Sequence, residues 1–181
     1  MKKIYFLMLL LAAFNVHAQD DAPVSVAKNQ FKINVILLPG FVYEHGFSAK
    51  NTLYSEASIV TGYRHNSWYD ESTWYFTPRI TEQLRHYYNL EKRATKGKRT
   101  AFNSGNFIAL NANYYFQSIS TNKWFNEEVP SFAIGPVWGI QRTYKGKLNI
   151  DLHIGAGVYV DKYDTDFTPI ANFCLGWVIG K

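Results

Sequence analysis

The chain has 181 residues, 17% of them aromatic, and a single cysteine, Cys174. One cysteine excludes an intramolecular disulfide and any cysteine-based metal cluster, and the length suits one domain. The formal charge is +5, too modest a balance to mark a nucleic-acid binder.

The first segment reads as a secretory signal. Lys2 and Lys3 supply its charge, Ile4–Phe14 its apolar core, and Val16-His17-Ala18 the small residues of a cleavage site, so the mature chain is expected to start at Gln19. The apolar run is too short for a membrane-spanning helix, and no cysteine follows it to carry a lipid. Residues 1–18 hold two of the 19 Lys+Arg and none of the 14 Asp+Glu. The mature chain therefore has 17 against 14, or +3. Residues 19–30 are polar and read as a flexible periplasmic lead.

From residue 31 onward apolar and polar residues alternate, the period of a half-buried strand. In Phe31–Leu38, Phe31, Ile33, Val35 and Leu37 oppose Lys32 and Asn34. Pro39-Gly40 breaks the run, and Phe41–Ser48 resumes it. Phe31–Ser48 reads either as two strands or as one bent strand. Ala49-Lys50-Asn51 is a tight turn, Thr52–Arg64 a strand and His65–Thr73 a polar loop. Trp74–Leu90 alternates Trp74, Phe76, Ile80 and Leu84 against Thr77, Arg79, Gln83 and Arg85. Pro78 suggests a bulge there, and Glu82 interrupts the apolar face. Glu91–Gly105 is a basic connection. Asn106–Ser118 is a strand, Ile119–Val129 a loop, Ser131–Tyr144 a strand and Lys145-Gly146-Lys147 a tight turn.

Leu148–Val160 carries the clearest pattern. Leu148, Ile150, Leu152, Ile154, Ala156, Val158 and Val160 share one face, and Asn149, Asp151, His153, Gly155, Gly157 and Tyr159 the other. Its length exceeds the roughly 9–11 residues that cross a bilayer as a strand. Asp161–Phe167 is an acidic loop and Thr168–Ile179 the last strand. Aromatic residues gather near strand ends: Trp68, Trp74, Phe116, Trp124 and Phe167 for one rim, Tyr87, Tyr88, Phe107, Tyr144 and Trp177 for the other. Two such girdles flank the apolar band of a membrane barrel. The expected fold is all-β, an up-and-down antiparallel transmembrane β-barrel of eight strands over residues 31–181.

The opening FKINVILLPGFVYEHGF, the turn and strand that follow with TLYSEASIVTGYR, the run NLEKRATKGKRTAFNSGNFIAL and the hairpin AIGPVWGIQRTYKGKLNIDLHIGAGVYV resemble the small outer-membrane β-barrel proteins of Bacteroidetes-type bacteria. The resemblance covers most of the mature chain. It implies an eight-stranded barrel in the outer membrane of a Gram-negative cell and little chemistry, since most of that family has no assigned function. One departure is the ending Ile179-Gly180-Lys181, where such barrels usually close on an aromatic residue.

The polar faces hold Glu44, Glu56, Arg79, Arg85, Asp151 and His153. In an eight-stranded barrel such side chains fill the interior, and their charges must pair. An inert polar plug is the favoured reading; a narrow ion or proton path is the alternative. His65-Asn66-Ser67 faintly resembles the His-Ser pair of outer-membrane lipid A deacylases, but Glu56 lies on the opposite face from His65 and Trp68 stands where an oxyanion-site asparagine belongs. Asp161, Asp164 and Asp166 do not have the spacing of a Ca²⁺ loop, and Cys174 reads as a small packing residue. Neither a metal nor a cofactor is expected. The function expected is a non-enzymatic barrel, structural or adhesive through its loops, and monomeric. Its partners are outer-membrane lipid, lipopolysaccharide and the barrel-assembly machinery, with no nucleic acid. The alternatives are a membrane-embedded lipid A or phospholipid acyl hydrolase and a soluble periplasmic lipocalin-like ligand binder.

Overall fold

The computed structural model describes residues 24–67, 70–120 and 129–180. The expected signal peptide, the rim residues Trp68 and Trp124 and most of the loop after Ser120 lie outside the described residues. The elements are β1 (Asn29–Ile36), β2 (Gly40–Gly46), β3 (Asn51–Asn66), β4 (Glu71–Tyr87), α1 (Leu90–Ala94), β5 (Asn106–Tyr115), β6 (Ile119–Ser120), β7 (Ser131–Thr143), β8 (Leu148–Val160) and β9 (Thr165–Gly180). All strand pairs are antiparallel. Eight strands form a closed ring in the order β1-β2-β3-β4-β5-β7-β8-β9, and β9 returns to β1 through pairs such as Ile33 with Trp177. The two-residue β6 pairs with Tyr75 and Phe76 of β4 beyond the end of β5. Closure leaves the long strands no free edge.

Pro39-Gly40 separates two strands. β1 and β2 pair from Asn29–His45 to Asn34–Gly40, and the chain reverses through Leu37 at φ 66°. Two of the loops on that edge of the ring are shorter than the composition suggests. The β3–β4 ladder runs to Asn66 opposite Glu71, so most of residues 65–73 are strand. Cross-strand contacts carry the ladder that far: the Tyr63 and Trp74 rings lie 5.0 Å apart, and Tyr63 Oη and Ser72 Oγ are hydrogen-bonded at 2.8 Å. β9 likewise begins at Thr165, opposite Val160.

The two faces of the sheet are sorted by burial. Lys32, Glu44, Glu56, Arg79, Gln83, Arg85, Gln141, Asp151 and His153 are buried inside the ring, whereas Phe31, Leu53, Ile80, Leu110, Trp138, Leu152, Phe173 and their neighbours are exposed outside it. Glu82 stands on the outer face between Ile80 and Leu84 and accepts a 2.8 Å hydrogen bond from Ser55 Oγ. Over the thirteen residues of β8, about 3.4 Å per residue at a tilt of about 40° gives a wall roughly 30 Å tall.

At one end the ring is roofed. The connection after β4 starts as α1 and then folds across the lumen, with Leu90, Asn103 and Ser104 buried. From Val24 the segment before β1 docks on the same end: Val26 N–H donates to Ala49 O (3.0 Å), Ala27 N–H to Asn103 Oδ1 (2.7 Å), and Val26 packs with Tyr87, Leu90 and Phe107. Phe102 and Asn103 take φ of 56° and 57°, a left-handed backbone that is unusual for phenylalanine. It aims the Phe102 carbonyl at the lumen, where Gln141 Nε2 donates to it at 3.0 Å.

Candidate functional site

Among the described residues the lumen holds three buried cations, Lys32, Arg79 and Arg85, and three buried carboxylates, Glu44, Glu56 and Asp151. The balance answers a physical demand, because a buried charge without a partner costs several kcal/mol. Each cation has a carboxylate: Lys32 Nζ to Glu44 at 2.8 Å, Arg79 Nη2 to Glu56 at 2.7 Å and Arg85 Nη1 to Asp151 at 2.7 Å.

Four of the six residues expected in the interior network meet in one cluster. Arg85 is its hub. Its Nε donates to Gln83 Oε1 (2.6 Å) and its Nη1 to Gln141 Oε1 (2.9 Å), while its guanidinium is sandwiched between the rings of Tyr54 (3.7 Å) and Phe107 (4.1 Å). Glu44 accepts from Lys32 Nζ, Thr52 Oγ1 and Tyr87 Oη, each at 2.8 Å. His153 lies 3.2 Å from Asp151 and 3.3 Å from Gln83. Glu56 and Arg79 form a second group nearer the open end, and Tyr54, whose hydroxyl donates to Glu56, bridges the two.

Lys32, Tyr54, Tyr87, Phe107 and Gln141 also belong to this cluster, beyond the six residues that the polar faces single out. Tyr87 and Phe107 are corrections. Both were expected on an outer rim, and both are fully buried. Their position in the alternation, in step with Arg85 and with Asn111, carried the signal; the enrichment of aromatics at membrane rims pointed the other way. Tyr88, Tyr144 and Trp177, of the same expected rim, are exposed.

At the other end of the lumen the described residues leave space unfilled. A cavity of about 900 Å³ opens there, walled by Tyr75, Tyr115, Tyr159, Tyr163, Thr77 and Asn113 among others. Two features keep it clear. Gly62 pairs with Tyr75 and has no side chain to displace the Tyr75 ring lying over it. Gly135, Gly155 and Gly157 stand at inward positions of β7 and β8 and put nothing in the lumen, and a Cβ at Gly135 or Gly157 would collide with the facing strand's backbone. Glycine in a strand interior marks this kind of close approach. Asp161 is the only charged residue among the described residues of the lining. Its Oδ1 accepts the N–H groups of Tyr163 (2.7 Å) and Asp164 (2.8 Å), which hold its carboxyl below the usual aspartate range.

The remaining candidates stand apart from the lumen. His65 is exposed on β3, with Nδ1 3.2 Å from Ser72 Oγ. Glu56, inside the ring and paired with Arg79, is on the other side of the sheet. Cys174 is buried on the lumen side, with Sγ 3.6 Å from Asn172 Oδ1. No group of His, Cys, Asp and Glu among the described residues is arranged to hold a metal ion. No family model, no curated protein and no solved structure matches the chain.

Proposed function

We propose that this chain is a small, non-enzymatic outer-membrane β-barrel of the kind the sequence resembles, a monomer closed at its periplasmic end and acting through its outward mouth and loops. The observation that carries this reading is the inversion of the two faces. A water-soluble calyx of lipocalin type would keep an apolar lumen and a polar exterior; this ring has ion pairs inside and an apolar exterior. Apolar residues facing out over about 30 Å suit the hydrocarbon of a bilayer, and a closed ring satisfies the backbone there.

Charge supports the orientation. Lys50, Lys92, Arg93, Lys96, Lys98, Arg99, Lys145 and Lys147 lie in the connections at the roofed end against the acid Glu91, and Asp70, Asp161, Asp164 and Asp166 at or beside the turns of the open end against Lys162. An even number of strands keeps both chain ends on the periplasmic side of such a barrel, and the segment before β1 and Gly180 of β9 both lie at the roofed end, so in this reading the roofed end faces the periplasm. The network across the lumen and the roof beneath it argue for a closed cup rather than an ion path. The acyl-hydrolase alternative needs an acid behind His65, and Glu56 is committed to Arg79. Contacts with lipid, lipopolysaccharide and the assembly machinery follow from the address.

Expression in a Gram-negative host followed by fractionation tests the reading. The protein should sediment with outer membranes, dissolve only in detergent and migrate faster on gels unboiled than boiled. Release by osmotic shock as a detergent-free soluble protein would overturn it.

A further inference from the structure

Directly beneath the residues that line the open-end cavity lies a buried layer of unsatisfied hydrogen-bonding groups. One inward step below the lining residues Val60, Thr77, Asn113 and Ile170 come Ser58, Arg79, Asn111 and Asn172, on four different strands. All four are more than nine-tenths buried, and each has a side-chain atom without a partner: Ser58 Oγ, Arg79 Nε, Asn111 Nδ2 and Asn172 Nδ2. Buried polar atoms are nearly always satisfied, so four at one level call for an explanation. Three are N–H donors and the fourth a hydroxyl. What meets them, a water or the inner end of a ligand, must present acceptor oxygens.

The walls add the second half of the chemistry. Four tyrosines offer flat apolar faces with hydroxyl tips, surfaces that suit a partner apolar on its faces and polar at its edges. Charge narrows the choice further. Arg79 is the one cation of that layer and is already neutralised by Glu56 at 2.7 Å, and the lining itself brings only the carboxylate of Asp161, so an anion gains nothing there. A bare acyl chain would leave the donors unmet. A volume of about 900 Å³ is within the roughly 300–1,000 Å³ of small-ligand sites.

We propose that the mouth of the barrel is a binding site for a short neutral oligosaccharide, its hydroxyl or acetamido oxygens on the buried donors and its sugar rings against the tyrosines. The proposal deepens the reading above, since an outward mouth is where external glycans arrive.

The test uses the full-length barrel purified in a sugar-free detergent such as an amine oxide, with chitotriose and maltotriose as probes, and decanoate and inorganic phosphate beside them, by calorimetry. At least one trisaccharide should bind saturably. Tyr115→Ala should weaken it tenfold or more by removing a wall, and so should Asn172→Leu by removing a buried donor. Asn172→Leu removes an unpartnered amide N–H₂ and, at its oxygen, only the weak 3.6 Å contact from Cys174 Sγ, which costs the fold little, and both variants should keep the fast unboiled gel band that marks the folded barrel. The proposal is overturned if neither sugar binds the folded barrel, if decanoate or phosphate binds in preference, or if both folded variants bind the sugar unchanged. Sugar binding by a protein that proves soluble without detergent would keep the site and overturn the membrane reading alone.

Discussion

Replacing Arg85 by methionine keeps much of the side chain's length and removes its charge. The loss leaves Asp151 buried with His153 at 3.2 Å and no cation in direct contact. It also takes the 2.6 and 2.9 Å donors from Gln83 and Gln141 and a cation from between two aromatic rings. Removing one partner of a buried pair costs about 3–5 kcal/mol, most of it for the charge left behind. Arg85→Met with Asp151→Asn removes that residual charge, and Lys32–Glu44 and Arg79–Glu56 remain balanced. The double variant should therefore recover at least about 2 kcal/mol of the single variant's loss, a coupling that a double-mutant cycle reads directly. Urea unfolding in micelles, followed by tryptophan fluorescence and the unboiled gel band, supplies the four free energies. A single-variant loss under about 1 kcal/mol, or a double variant no better than Arg85→Met, would refute the claim that charge balance governs the lumen.

Opposite substitutions on the outer face should have opposite signs: Leu152→Arg should cost roughly 2–4 kcal/mol of folding into vesicles near the bilayer midplane, and Glu82→Leu should be neutral or stabilising. Equal tolerance of both changes would mean that this face does not meet hydrocarbon. Asp161, its carboxylate held by two backbone N–H groups, has a lowered pKa, so the stability it lends the 161–164 turn is full above the ordinary aspartate value and disappears as pH falls through its own lower value. The Tyr163 amide shift followed by NMR should titrate below the free-aspartate midpoint, and a midpoint at or above it would contradict the turn. In a Cys174→Ser background, Lys162→Cys should react with an impermeant thiol reagent on whole cells and Lys98→Cys should not; the reverse pattern inverts the orientation.

Much of the fold was legible in the chain itself. Alternation from Phe31 to Ile179 located the strands, short turns such as Lys145-Gly146-Lys147 made neighbours antiparallel, and an even strand number suited an up-and-down ring. The outward and inward sets on β8 follow from its two-residue period alone. The strands run further into the polar loops 65–73 and 161–167 than alternation shows, because alternation weakens where side chains near the rim face water on both sides. Parity also held the positions of Tyr87 and Phe107, against the pull of aromatic frequency at rims.

What alternation leaves open is which face closes inward, because exchanging the two faces leaves the period unchanged; the same pattern serves a calyx with an apolar lumen. Closure of β9 on β1 decided it, curving the sheet around its charges. Only the tertiary structure could pair those charges, since Lys32 meets Gln141 at 2.8 Å across 109 residues of chain. The roof was equally hidden: in sequence Glu91–Gly105 is a run of Lys and Arg, and its role rests on the left-handed turn at Phe102 and Asn103. The cavity depends on which glycines and tyrosines share one level of the ring. That level is set by the stagger between strands, which no single strand's sequence contains.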